Sequence, residues 1–325
     1  MKMKSQILKA LEENKSAFVS GDMLAAQLSV SRSAVWKTVK SLRADGYEIA
    51  AVTKKGYRLE SSGDFLSDAE ISAHLKTSNV FQVDVRKTVT STNTVLRDMA
   101  NKGAVEGYVI AAEEQTAGKG RMGRDFFSPV GHGAYFSLLL KPGSKASEST
   151  LITSAAAVAT AKAIEEVTGV RVGIKWVNDL FIGGRKVCGI LTEASFDMEN
   201  GLVESAVLGI GINITRPDKG FPRALEGVAT ALSERSSGKD NERSRIIAST
   251  LDNFWEYYKN LSEREFLDEY RARSIIVGKD VYILSGDCQK KAKALSIDDD
   301  CGLEVRYENG ETATLSSGEV SIREV

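Results

Sequence analysis

Directly after a strand-like run, the segment Gln115-Thr116-Ala117-Gly118-Lys119-Gly120-Arg121-Met122-Gly123-Arg124 alternates glycines with cations. Glycine lets a backbone approach a ligand closely and present N–H donors, while Lys119, Arg121 and Arg124 offer charge to phosphate or carboxylate oxygens. Such charge-assisted bonds contribute about 1.5–3 kcal/mol each. The makeup is that of an anion-binding loop, although a mobile surface loop has the same composition. It is not a Walker A loop, because the Gly-Lys-Ser/Thr ending is absent, and Gly209-Ile210-Gly211-Ile212-Asn213 lacks the third glycine of a dinucleotide fingerprint. Phosphate chemistry here would use neither common device.

The elements that must hold this loop are strands mixed with long helices. Strand patterns fall at Phe81 to Val85, Tyr108 to Ala112, Ala134 to Leu140, Leu180 to Ile182, Lys186 to Leu191 and Val203 to Ile212. Gly183-Gly184 marks a hairpin turn. Ser149 to Val167 reads as an alanine-rich helix stopped by Gly169, and Arg243 to Leu261 as another. Consecutive strands without intervening helices predict an α+β fold with a mixed central sheet, not a doubly wound parallel one.

A different pattern precedes a short linker around Ser61 to Asp64. Ile7, Leu8 and Leu11 recur at helical spacing, and Ser20 opens a short helix over Gly21 to Leu28. Ser31 caps a third, with Val35, Val39 and Leu42 on one face and Gly46 as its stop. Polar residues at the start of that third helix match a helix-turn-helix, whose recognition helix reads bases near its N-terminus. Tyr47 to Val52 and Gly56 to Leu59 then form a hairpin with a basic tip, a wing. On this reading Lys54 and Lys55 contact phosphates and Ser31, Arg32, Ser33 and Lys37 approach the groove, with Trp36 open between packing and contact. Met1 to Glu60 holds 11 basic and 6 acidic residues, a local charge of +5 on a chain whose total is -1. Surface potential would bring only this block to a polyanion. A small helical scaffold with a solvated basic face is the alternative.

Near the other end, Val281 to Leu284, Lys291 to Ile297, Leu303 to Tyr307 and Glu311 to Leu315 are short strands separated by turns at Asp299 to Gly302 and Glu308 to Gly310. Three cysteines and two histidines are too few and too scattered for a disulfide framework or a structural zinc cluster, which points to a reducing compartment. No apolar run approaches a membrane span and the N-terminus lacks a signal-peptide core, so the cytoplasm is the expected location.

The basic loop resembles the glycine-rich adenylate-binding loop of biotin protein ligases. Thr90-Ser91-Thr92-Asn93, Lys175-Trp176-Val177-Asn178-Asp179, Lys186 with Gly189-Ile190-Leu191, and Gly209 to Asn213 follow in that family's order. The bifunctional bacterial members add a winged helix-turn-helix head and a small C-terminal SH3-like barrel. The resemblance therefore covers the chain as 1-62, a DNA-binding head; 63-272, the catalytic domain; and 273-325, the barrel. Three positions depart from the family's usual wording. Lys119 replaces an arginine, keeping the charge without the bidentate fork. Val177 replaces a proline and is expected to loosen a rigid turn, and Phe126 replaces a tryptophan.

The resemblance implies a two-step ligase with biotin and ATP as substrates and Mg2+ accompanying the nucleotide. Ser91, Thr92, Asn93 and Gln115 would surround the biotin ureido ring, and Gly118, Gly120 and Gly189 would allow backbone approach. Lys119 joins the adenylate-binding set. Arg121 and Lys186 would hold the carboxylate and α-phosphate as the catalytic pair. Asp179 has two readings, magnesium placement or a turn cap, and Asn213 either touches ligand or ends a strand. His132, between two glycines, reads as a turn residue. The implied partners are a biotin carboxyl carrier protein domain, operator DNA, and a second copy of the chain when the adenylate is bound and orders the loop. The rivals are a lipoate ligase, a ligase whose head does not bind DNA, and a ligand-sensing transcription factor without transfer activity.

Overall fold

The computed structural model describes residues 3–14, 17–44, 47–61, 66–143, 148–196, 202–233, 241–285, 288–316 and 319–321. Gly46 and most of the linker assigned to Ser61 to Asp64 lie outside these residues.

The head contains α1 (Met3–Glu13), α2 (Gly21–Gln27), α3 (Arg32–Ala44), β1 (Glu48–Val52) and β2 (Gly56–Ser61). Its caps are as anticipated: Ser20 Oγ accepts from Met23 N at 3.0 Å, and Ser31 Oγ from Ala34 N at 3.2 Å. Ile7, Leu8, Leu11, Leu24, Val35, Val39 and Leu42 close one small core. β1 and β2 pair antiparallel, and the wing tip turns through Lys54 and Gly56 at positive φ.

A short helix, α4 (Asp68–His74), follows, in a stretch where the sequence pattern predicts no element. It belongs to two cores. Ala69 and Ala73 pack into the head, whereas Leu66, Ile71 and Leu75, at and beside the helix, pack into the body. That small residues face one way and large ones the other is ordinary helical periodicity over seven residues.

The body is a seven-stranded mixed sheet. In chain order its strands and helices are β3 (Gln82–Val89), α5 (Thr92–Ala100), β4 (Tyr108–Gln115), β5 (Gly133–Leu140), α6 (Ser149–Thr168), β6 (Gly173–Lys175), β7 (Asp179–Ile182), β8 (Arg185–Phe196), β9 (Val203–Asn213), α7 (Glu242–Lys259) and α8 (Leu267–Ala272). Sheet order is β3-β4-β5-β9-β8-β7-β6, with only β3 and β4 parallel, joined by the crossover helix α5. α6 ends on Gly169 in the left-handed region, as its position implied, and Gly183-Gly184 turns the β7–β8 hairpin. β3 is longer than anticipated and begins after Phe81, which is a core residue. α5, β6 and α8 were not anticipated, although Val95, Leu96 and Met99 carry the helical spacing that marks α5.

The C-terminal unit comprises β10 (Asp280–Ser285), β11 (Cys288–Ile297), β12 (Leu303–Tyr307), β13 (Thr312–Leu315) and β14 (Glu319–Ser321), an antiparallel sheet in the order β13-β12-β11-β10-β14. It shares the body's core through Val281, Ala294, Leu303 and Val305. Trp176 Nε1 donates to Cys301 O at 2.8 Å, pinning this sheet to the segment before β7.

Candidate functional site

The ends of β4, β8 and β9, the start of α5 and the basic loop enclose a cavity of about 410 Å³. At one end, the first residues of α5 enter its wall. Thr92 N and Oγ1 lie 2.9 and 3.1 Å from Gln115 Oε1, while Gln115 Nε2 donates to Ser128 Oγ at 2.9 Å. Ser137 Oγ sits 2.7 Å from Thr92 Oγ1 and 2.6 Å from Asn93 Oδ1. Asn93 Nδ2 donates to Glu193 Oε2 at 2.8 Å, and Arg97 Nη1 holds the other oxygen of that carboxylate at 3.2 Å. A buried amide oriented this firmly presents fixed donors and acceptors, which is what recognition of a polar ring requires. Ser137, Glu193 and Arg97 were not singled out from the sequence; their signal is positional, and it appears only when β5 and β8 are set beside α5.

The basic loop is closed by its own backbone. Gly120 N donates to Arg124 O at 2.7 Å, and Phe126 N to Gly118 O at 2.8 Å. Lys119, Gly120, Arg121 and Arg124 all line the cavity. Gly118 does not; a Cβ there would lie 2.4 Å from Phe126 O, so the loop's return past Phe126 requires a glycine. Gly209 and Gly211, on the cavity wall, were not assigned to the site. A Cβ at Gly209 would meet Asn93 Oδ1 at 2.0 Å, and one at Gly211 would meet the Phe126 ring at 2.5 Å. Their absent side chains are what admit Asn93 and Phe126 to the site.

At the other end stand the cations. Arg121 Nη1 donates to Asn178 Oδ1 at 3.0 Å, and Asn178 Nδ2 in turn to Ile190 O at 2.7 Å. Lys186 Nζ lies 2.6 Å from Asp179 Oδ1 and lines the cavity beside Gly189, where a Cβ would crowd the ammonium at 3.0 Å. The Trp176–Val177 peptide is cis. Around Val177, Tyr270 Oη donates to Val177 O at 3.0 Å, and Asn178 is bonded through side chain and backbone to Ile190, contacts that hold the turn where the family's proline is absent. Asp179 opens β7 at the close of this turn and lines the cavity as the ion-pair partner of Lys186. Asn213 lines the cavity and donates from Nδ2 to Thr230 O at 3.0 Å, holding the segment of Phe221, Leu225, Val228 and Ala229 as an apolar wall. His132 bonds Thr215 Oγ1 at 3.0 Å, outside the cavity lining. The described lining contains no histidine or cysteine, so no Ser-His or Cys-His pair is available there.

On the head, Arg32 Nε pairs with Asp22 at 3.0 Å on the surface, and Ser31 serves as a cap. Lys37 is exposed but borders α1 and the start of α4, beside Lys4 and Asp68. Trp36 is 54% exposed with Lys40 Nζ 5.4 Å from its ring centroid, which resolves its reading toward the surface. Lys54 and Lys55 are exposed on the wing tip.

A helix-turn-helix head, a mixed-sheet body with a cation-rich glycine loop, and a small antiparallel C-terminal sheet define a ligase of the biotin/lipoate type. Residues 85–213 match the biotin/lipoate A/B protein ligase family, 4–58 an HTH domain, and 276–323 the biotin protein ligase C-terminal domain. The chain belongs to the family of bifunctional biotin protein ligase/repressors. It is 36% identical to the bifunctional ligase/repressor BirA of Bacillus spizizenii over 95% of each chain, and 26% identical to that of Escherichia coli, spanning 94% of this chain and 93% of that one. Among solved structures it is similar to the biotin protein ligase of Aquifex aeolicus in complex with biotin and ATP. That match has 27% identity and a TM-score of 0.63, over 75% of this chain and 99% of that one.

Proposed function

We propose that the cavity binds biotin and ATP, forms biotinoyl-AMP, and passes biotin to a lysine of a biotin carboxyl carrier protein domain. The observation that carries this reading is the polarity of one cavity: a cluster of hydroxyls and side-chain amides at Ser91, Thr92, Asn93 and Gln115, and two cations, Arg121 and Lys186, at the other end. The reaction needs no enzyme nucleophile. A biotin carboxylate oxygen attacks the α-phosphorus and pyrophosphate leaves; the acceptor amine then attacks the mixed anhydride's carbonyl and AMP leaves. Arg121 and Lys186 hold the two anionic reactants together and balance the charge that builds on the phosphorus. Lys119 and Gly120 extend the binding wall, Gly189 leaves room for Lys186, and Asn213 secures the apolar wall against the adenine side. Mg2+ would be held mainly by the nucleotide's phosphates, with Asp179 as the protein carboxylate once Lys186 turns from it to the substrate.

The same reading divides the chain into 1-62, 63-272 and 273-325 and places it in the cytoplasm; no described helix is long and apolar enough to cross a membrane. The head binds operator DNA through α3 and the wing, and a homodimer formed with bound adenylate presents two heads to a palindrome. Biotin-dependent exchange of labelled pyrophosphate into ATP tests the first step. Exchange with biotin but not lipoate is expected; exchange with lipoate alone would make the lipoate-ligase rival correct. Sedimentation with biotin and ATP tests dimerisation, and a monomer at every concentration would refute that part.

A further inference from the structure

Val35, Val39 and Leu42 turn one side of α3 into the head's core, and Thr38 Oγ1 bonds Met3 Sδ of α1 at 3.0 Å. On the outer side, Arg32, Trp36 and Lys40 follow one another at i,i+4 spacing, so they form one ridge with an indole between two cations. The helix carries Arg32, Lys37, Lys40 and Arg43 and no carboxylate.

Several of these side chains are tied to the head itself. Arg32 Nε is drawn to Asp22 of α2 at 3.0 Å, Arg43 Nε donates to Ile49 O of β1 at 2.8 Å, and Lys37 borders α1 and α4. Trp36 is placed differently. It is 54% exposed, and among the described residues it is neither in the head's core nor one of the half-buried apolar residues packed against that core. A single exposed apolar side chain is ordinary on a protein surface, so its surroundings decide what it means. Lys40 Nζ stands 5.4 Å from the ring centroid. A cation over one face steadies the ring and leaves its other face and edge to a neighbour.

We propose that Trp36 is a specificity residue of the head and that it reads the 5-methyl group of thymine in the major groove of a DNA duplex, with Lys40 holding the ring. The inference rests on the reading that the head binds DNA. The charge favours that occupant: a ridge without carboxylates, on a block of 11 basic and 6 acidic residues, faces a polyanion. The major groove admits an α-helix, and thymine alone presents a methyl group there. The indole is uncharged, so it adds nothing to the salt-dependent attraction to phosphates. Its contribution is the methyl surface it removes from water, which distinguishes one base from the others.

The test selects duplexes from a random-sequence pool with the full-length chain in the presence of biotin and ATP. Thymines of the selected duplex are then replaced one at a time by deoxyuridine, which lacks only the methyl group. At one or more thymines the replacement should weaken binding by the unaltered chain about fourfold. Trp36→Ala should bind the selected duplex at least that much more weakly, lose the deoxyuridine effect at those thymines, and keep the salt slope, since no phosphate contact is removed. Trp36→Phe, which keeps an aromatic face, should retain the effect, and an unchanged urea midpoint shows that each variant is folded. Deoxyuridine effects that persist in Trp36→Ala, or a selected duplex with no sensitive thymine, would overturn this inference alone. Failure to select any duplex would overturn the DNA-binding reading along with it. Unaltered DNA discrimination by Trp36→Ala, with sedimentation showing weaker self-association, would assign the ridge to a second copy of the chain and overturn the proposal.

Discussion

Lys186 Nζ lies 2.6 Å from Asp179 Oδ1, so the ammonium assigned to the reacting carboxylate and phosphate rests on a protein carboxylate in the free chain. Both side chains are partly exposed, at 30% and 22%, and such pairs stabilise a fold by only about 0–1 kcal/mol. Lys186→Ala should therefore shift urea unfolding by less than about 1 kcal/mol. The rate of adenylate formation should fall by about 10²–10³. A large loss of stability together with activity would mean that Lys186 is structural.

Gly209 faces Asn93 with no room for a methyl group, since a Cβ at that position would fall 2.0 Å from Asn93 Oδ1. Gly209→Ala should turn Asn93 off Glu193 and cost roughly 1–3 kcal/mol of stability through overpacking. Its kinetic signature should be a raised KM for biotin with KM for ATP little changed. Equal effects on both substrates would show that Asn93 does not lie at the biotin end.

On the head, phosphate contacts and base contacts separate by salt. Removing one phosphate contact lowers the slope of log K against log salt by about 1. Lys54→Ala and Lys55→Ala should each do this on any DNA sequence, whereas Ser33→Ala should change discrimination between operators at a similar slope. A salt slope untouched by both wing variants would favour the scaffold reading of the head.

Alkali should destabilise the fold. Burial pushes the Cys301 thiol up from 9.0 to about 11, and burial also raises the hydroxyls of Tyr135, Tyr258 and Tyr270. The folded state holds these protons more tightly than the unfolded chain, so their contribution is complete below pH 9.0 and is lost as pH rises through about 11 for Cys301. Urea midpoints measured across that interval should fall steadily; a flat or rising profile would contradict the burial account.

The parts legible in the sequence were those carried by local chemistry. Ser20 and Ser31 announced their helices because a hydroxyl before an apolar-periodic run satisfies orphan N–H groups, and Gly169 announced the end of α6 by its left-handed turn. The cation loop was legible for the same reason. What escaped was set by distant packing. Gly209 and Gly211 read as strand residues until Asn93 and Phe126 lie against them, and nothing local to Gly118 shows that Phe126 O packs where its side chain would be. Val177 could not reveal from its own type that Tyr270, far along the chain, would bond its carbonyl. The packing of α4 against α1, where His74 Nε2 lies 3.3 Å from Glu12 Oε2, is likewise a contact that no local pattern encodes.

The most direct measurement is transfer of radiolabelled biotin to a biotin-carrier domain in the presence of ATP, by the unaltered chain and by Lys186→Ala and Arg121→Ala. The account predicts efficient transfer by the first and its loss in both variants while each still folds. No transfer and no adenylate from the unaltered chain would contradict the ligase reading, and full transfer by either variant would contradict the site.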